Sequence, residues 1–183
     1  MSLQNLAQIL GPQLHREANH LYDGYLPYEF HLRLVESTAR RFINLVRVEH
    51  HDVVLAACWL HDVLEDTRTS YSYIVKNVSE EVAELVFAVT NSKGRNRAER
   101  ADDAYYEGIN STPNAVFLKL CDRIANVKYG VLTDSQMVKM YLNENETFLS
   151  KLRISQYEPM ILSLNTIFLP GRCESLWQKH GNL

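Results

Sequence analysis

The sequence predicts an all-α protein, and three observations predict it. Apolar residues recur three and four positions apart along most of the chain, the spacing that lines one face of a helix. No segment shows the strong apolar–polar alternation of a half-buried strand. Only 7 glycines and 5 prolines interrupt 183 residues, which leaves long stretches free to stay helical.

A first helix is expected over residues 12 to 22, stopped by the breaker "DGYLP". A second starts near Tyr28 and carries Leu32, Leu34, Val35, Ala39, Phe42, Ile43 and Val46. A third is expected from Asp52, placed to cap it, to about Glu65. "SYSYIVKNVS" reads as a short helix. Ser79 caps the next, "EEVAELVFAVT", whose leading glutamates suit the positive end of a helix. "NSKGRN" is a loop, "RAERADDAYYEGI" a polar helix and "NSTPN" a turn. An apolar-faced helix follows from Ala115 to about Val131, and two more cover roughly 134 to 152 and 158 to 168. "LPGRCESLWQKHGN" breaks the pattern and adds a last short helix. With no repeat, linker or low-complexity tract, residues 1 to 183 form one domain.

A net charge of -3 carries no footprint for DNA or RNA. No apolar run approaches the roughly 18 residues of a membrane span. The N-terminus "MSLQNLAQILG" lacks a secretory pattern. Cys58, Cys121 and Cys173 are odd in number and widely spaced, which fits reduced thiols and a cytoplasmic protein. A homo-oligomer is compatible with all of this.

The chemistry concentrates in "LHDVLEDT", residues 60 to 67. After the greasy run Val53 to Leu60, the chain puts His61, Asp62, Glu65 and Asp66 on its next turns. Three carboxylates and an imidazole that close together repel or titrate abnormally unless a positive charge sits among them. On a helix, residues four apart share a face. His61 and Asp62 therefore form one layer, able to ligate a cation, and Glu65 and Asp66 a second, able to hold and deprotonate a water. Facing helices must supply the remaining ligands. His31 in "YEFHLRLV" and Asp122 in "FLKLCDRIANV" are polar groups inside apolar helical segments, and a buried carboxylate needs a partner. His31, His61, Asp62 and Asp122 give two nitrogens and two oxygens with open positions. That mixture suits Mn²⁺ or Fe²⁺, and Zn²⁺ less well.

Other polar groups are weighed against ordinary roles. "HHD" at residues 50 to 52 has no acids one turn on, so Asp52 is read as a cap and the two histidines as exposed. Lys93, Arg95, Arg97 and Arg100 gather in "SKGRNRAER" and are candidates for substrate phosphate, although such runs are usually solvated faces. Asn126, one turn after Asp122, is a candidate for ribose or base. Lys119 and Arg123 are read as projecting from faces of the helix other than that of Asp122.

The pattern "PYEFH" (27 to 31), "LHDVLEDT" (60 to 67) and "LKLCDRIANV" (118 to 127) resembles the HD-domain metal-dependent phosphohydrolases. Within them it is most similar to the guanosine polyphosphate (ppGpp) hydrolase domain of stringent-response enzymes and its small stand-alone, metazoan-type relatives. The resemblance covers about residues 10 to 153 and leaves 154 to 183 as an extension. It implies an all-helical HD-type bundle, one Mn²⁺ on His31, His61, Asp62 and Asp122, and a water oriented and activated by Glu65 and Asp66. It also implies the reaction, conversion of ppGpp to GDP and pyrophosphate, and places Asn126 at the nucleotide. Where the family carries an Arg-Lys pair before Pro-Tyr, this chain has "LYDGYL". A family proline after the first metal histidine is Leu32 here. The arginine expected before the "YL" of "KMYLNENE" is absent, and Lys139 stands close by as a candidate in its place. Those departures keep open another nucleotide (a dNTP, a nucleoside monophosphate or NADPH) and a non-catalytic nucleotide-binding module.

Overall fold

Two side chains far apart in sequence, Ser2 and Asp52, start the first helix together. In the computed structural model, which describes residues 1–92 and 94–169 and only the backbone of Arg97 and Ala98, the Ser2 hydroxyl accepts the amide of Asn5. The Asp52 carboxylate accepts the amides of Leu3 at 2.8 Å and Gln4 at 3.0 Å. Three of the four orphan amides of a helix start are thereby satisfied. Helix α1 is Leu3–Glu17, so it begins nine residues earlier than expected, 12 minus 3, and holds Pro12 in its interior. Asp52 is a cap, but for α1 rather than for its own helix. His50 and His51 are half-buried rather than exposed, and His51 Nε2 lies 3.0 Å from the Val46 carbonyl oxygen.

The expected breaker is a small antiparallel hairpin, β1 Leu21–Tyr22 and β2 Leu26–Pro27, paired Leu21 with Pro27 and Tyr22 with Leu26. Asp23 and Gly24 turn it in the left-handed region, at φ 53° and 77°. It is the one departure from an all-helical chain among the described residues.

Helix α2, Glu29–Phe42, buries His31, Val35, Thr38 and Phe42 along one stripe. Two short 3₁₀ turns, Ile43–Leu45 and Val48–His50, lead into α3, His51–Leu60. The chain does not continue as one helix to Glu65. It turns at His61 and Asp62 and resumes as α4, Val63–Asp66. A Cβ on Gly11 would lie 2.0 Å from the Trp59 carbonyl oxygen, so glycine is what lets α1 lie against α3.

The next helices follow their caps. Ser70 starts α5, Tyr71–Asn77, and Ser79 starts α6, Glu80–Val89, each accepting a first-turn amide. The polar helix expected from residue 97 splits into α7, Arg97–Arg100, and α8, Asp103–Ser111, because the Asp102 carboxylate caps the second by accepting the Tyr105 amide. Asn114, left-handed at φ 65°, precedes α9, Ala115–Leu132. Helices α10, Met137–Ser150, and α11, Glu158–Ile167, complete the described chain. The last short helix, Cys173 and Trp177 lie outside the described residues.

Helix α9 is the axis, touching α2, α3, α6, α8, α10 and α11. Trp59, Leu60, Phe117, Leu118 and Ile124 are fully buried around it, each worth about 1.5–3 kcal/mol on removal from water. Cys58 and Cys121 are buried free thiols. No helix among the described residues is long and apolar enough to cross a membrane.

Candidate active site

Three helices deliver polar groups to one point inside this apolar frame. His31 points inward from the first turns of α2, His61 stands where α3 ends, and Asp122 lies in the buried half of α9. The turn at His61 swings Asp62 beside it. His61 Nε2 is 3.2 Å from His31 Nε2 and 3.0 Å from Asp62 Oδ2. Asp122 Oδ1 is 3.3 Å from His31 Nε2 and 3.8 Å from His61 Nε2, and Asp62 Oδ2 is 3.6 Å from His31 Nε2.

Two donors that share a cation at about 2.1 Å each stand no more than about 4.2 Å apart. Every one of these separations satisfies that limit. One donor atom each from His31, His61 and Asp122 lie within 4.8 Å of one another, so the three residues can hold a metal ion. His61 Nδ1 lies 3.0 Å from the Cys58 carbonyl, which it serves as N–H donor, so Nε2 is the free ligand nitrogen. The outer contacts are equally built. Tyr28 donates its hydroxyl to Asp62, Asn126 donates its amide to Asp122, and Lys119 Nζ lies 3.3 Å from Asp122 Oδ2.

The electrostatics match a cation site. Burial alone would push Asp122 up, but Lys119, His31 and His61 hold its carboxyl well below the usual range. Asp62 is likewise burdened by burial yet lowered by His61. Burial disfavours a charged His61, but Asp62 and Asp122 outweigh it and raise the imidazole to about 10.

Beside this cluster opens a cavity of about 510 Å³, within the range that takes a nucleotide-sized ligand. Asp62, Glu65, Asp66 and Asp122 form its acidic side; Arg100, Lys119, Arg123 and Lys151 also line it. Asn91 donates to both oxygens of Glu65 at 3.0 and 2.8 Å, and Arg100 lies 3.5 Å from Glu65. Burial, with Asp62 and Glu65 nearby, pushes Asp66 up to about 7.

The structure gathers His31, Asp62, Asp122, Glu65, Asp66, Asn126 and Arg100 at this cavity, with His61 buried against His31 and Asp62. Arg95 is exposed and paired with Glu99, and Lys139 is exposed on α10; neither lines the cavity. Lys93 and the side chain of Arg97 lie outside the described residues. Lys119 does share a face with Asp122, three residues on, contrary to the expectation that it projects elsewhere. Sequence reasoning also missed Tyr28, Asn91 and Arg123. Arg123 is buried beneath Tyr141 and Phe148, 4.6 and 4.1 Å from their ring centres. Tyr28 was findable, since it sits in the same "PYEFH" stretch as His31.

A helical bundle whose core holds two buried histidines and two half-buried carboxylates beside a nucleotide-sized cavity defines a mixed imidazole–carboxylate metal site. Known proteins place it further. Over 82 residues the chain is 43% identical to the guanosine-3′,5′-bis(diphosphate) 3′-pyrophosphohydrolase of Aquifex aeolicus, a match covering 43% of this chain and 12% of that protein. Over 92 residues it is 32% identical to mouse MESH1, a protein of the same activity name, covering 47% of this chain and 51% of that one. Drosophila melanogaster MESH1 is 35% identical over 75 residues, 41% of this chain and 42% of that protein. The chain thus spans at most about half the length of these relatives. A solved structure of a metazoan ortholog of SpoT that hydrolyzes ppGpp aligns with a TM-score of 0.72 and 22% identity. That alignment covers 100% of this chain and 98% of the other, and the two share a fold. No family model matches the chain. The chain is related to the HD-type ppGpp hydrolases.

Proposed function

We propose that this chain is a metal-dependent phosphohydrolase that converts ppGpp to GDP and pyrophosphate. One observation carries the reading: His31, His61, Asp62 and Asp122 converge beside a cavity that Glu65 and Asp66 line. A binding module has no need of a water-activating pair of carboxylates there. The residues fit a cation, with donors of His31, His61 and Asp122 within reach of one ion and Asp62 beside both histidines, the free nitrogen of His61 fixed by Cys58, and the carboxylates oriented by Tyr28, Asn126 and Lys119.

His31, His61, Asp62 and Asp122 hold the ion, which we assign as Mn²⁺, with Fe²⁺ and Zn²⁺ as alternatives. When bound it supplies Lewis-acid polarisation of a phosphoryl oxygen and lowers the pKa of water. Glu65, steadied by Asn91, and Asp66 orient a water in line with the 3′ phosphoryl group and take its proton. Arg100, Lys119, Arg123 and Lys151 neutralise phosphate charge. The enzyme is proposed to act in the cytoplasm, with residues 1 to 183 as one domain.

One observation favours a second reading, hydrolysis of a different nucleotide. The hairpin Leu21–Pro27 brings Tyr22 to Asn126, hydroxyl to Oδ1 at 3.0 Å, and Asp23 to Tyr129, so this segment offers aromatic and acidic groups where the family resemblance implies a basic pair. Metal-free protein reloaded with Mn²⁺ and given a nucleotide panel including ppGpp, with products separated by chromatography, decides between them. GDP with pyrophosphate supports the first reading, and orthophosphate or pyrophosphate from another nucleotide the second. No turnover of any nucleotide contradicts both.

A further inference from the structure

A second pair of histidines, apart from those of the metal site, stands beside Asp66. Helix α1 ends in a Schellman turn: Asn19 is left-handed at φ 54°, and the His20 amide donates to the His15 carbonyl at 2.9 Å. The turn folds His20 back over the helix, with its Nδ1 3.1 Å from Nδ1 of His15. Both rings stack on Tyr28, at centroid distances of 4.1 and 4.2 Å. His15 is 1% exposed, and its Nε2 has no hydrogen-bond partner among the described residues. Burial drives His15 down to about 3 and lowers His20 as well, so both rings are neutral near pH 7. Two neutral imidazoles meeting through like nitrogens share one hydrogen, so one donates and the other accepts.

His20 is the outer member of the pair. Its Nδ1 lies 3.7 Å from Asp66 Oδ2, and its side chain is 30% exposed. Asp66 faces the cavity, His20 faces both Asp66 and solvent, and His15 with Tyr28 fixes the His20 ring. We propose that His20 is the positioning residue for Asp66: it orients the carboxylate and carries to solvent the proton that Asp66 takes from water.

The proton balance is simple. Water gives its proton to an Asp66 oxygen. Asp66 passes it to Nδ1 of His20, which exchanges its His15 partner for Asp66, and the exposed edge of the ring returns a proton to water. Exchange with water then moves the remaining ring proton from Nδ1 back to the outer nitrogen, restoring the starting tautomer, and no other bond changes. The inference rests on the water-activating role of Asp66 proposed above.

The test uses the full chain. Replacing His20→Ala is expected to lower kcat about tenfold or more, below the roughly 10²–10⁴ of a direct acid–base group. KM and metal content stay unchanged, and imidazole added to the buffer restores turnover. A purely structural role would leave the loss unrescued. A second measurement needs no substrate: in ¹⁵N-histidine NMR of the zinc-loaded chain, Asp66→Asn moves the His20 Nδ1 resonance. Full activity of His20→Ala, a loss that imidazole does not relieve, or a His20 resonance indifferent to Asp66→Asn each overturns the proposal. Turnover is followed on whichever nucleotide the wild type hydrolyses. An inert wild type sinks the functional reading, and the resonance then decides the His20–Asp66 contact by itself.

Discussion

Nε2 of His31 and Nε2 of His61 face one another 3.2 Å apart across the junction of α2 and α3. His61 has committed its other nitrogen to the Cys58 carbonyl, so its Nε2 points into the gap. Asp62 and Asp122 crowd the same gap from two sides. Such an arrangement is stable only with a positive charge at its centre. In the metal-free chain a proton fills that role, and in the loaded chain a cation does.

Metal loading should therefore expel a proton. Asp62 and Asp122 raise His61 to about 10, above the 6.5 of a free imidazole. The proton stabilises the metal-free fold fully below pH 6.5, and the gain is lost as pH rises through about 10. At pH 7, binding Mn²⁺ is expected to release about one proton. Titration calorimetry in two buffers of different ionisation heat reads this directly, and equal heats in both would contradict it.

Glu65 is held by Asn91 and Arg100. Replacing Glu65→Gln should lower turnover by roughly 10²–10⁴ while leaving bound metal in place. Turnover and metal analysis on the same preparation check both halves. Full activity in this variant would remove Glu65 from the water-activating pair.

Asp66 gives a different signature in stability. Burial, Asp62 and Glu65 raise it to about 7, above its ordinary 3.8. Its contribution to stability is fully present below pH 3.8 and is lost as pH rises through about 7. Asp66→Asn should then raise Tm by a few degrees at pH 8 and change it less at pH 5. Thermal unfolding of the metal-free protein at the two pH values measures the difference. An equal shift at both would show that Asp66 is an ordinary carboxylate.

Asp52 offers a test of the scaffold alone. Its carboxylate receives two amides of α1, so Asp52→Ala should cost about 1–2 kcal/mol of stability. Denaturant unfolding reads the loss, and metal content at low denaturant should not change. An unchanged midpoint would show that α1 starts without it.

Asp52 also marks where sequence ceases to be legible. Ser79 was readable because a cap and the helix it starts are neighbours in the chain. Asp52 stands before its own helix yet serves α1, a tertiary choice that no local pattern carries. The early start of α1 was hidden for the same reason, since Pro12 argues locally for a helix beginning there. "LYDGYL" held an Asp-Gly hairpin signal that was read only as a breaker. In the site, a histidine or carboxylate within an apolar stripe is costly enough to be conspicuous, which made His31, His61 and Asp122 visible. Asn91 and Arg123 were not, because an asparagine or an arginine has many ordinary reasons to be where it is. The cationic run near residue 95 shows the converse: Arg95 is spent on Glu99, and Arg100 alone among the described side chains of the run lines the cavity.

Metal stoichiometry tests the central claim most directly. After stripping and reloading with Mn²⁺, the wild-type chain is expected to retain one ion per chain by elemental analysis. Asp122→Ala and its milder counterpart Asp122→Asn, both checked for helical content, are expected to retain almost none. A wild type that keeps no metal, or an Asp122→Ala chain that keeps as much as the wild type, would contradict the account.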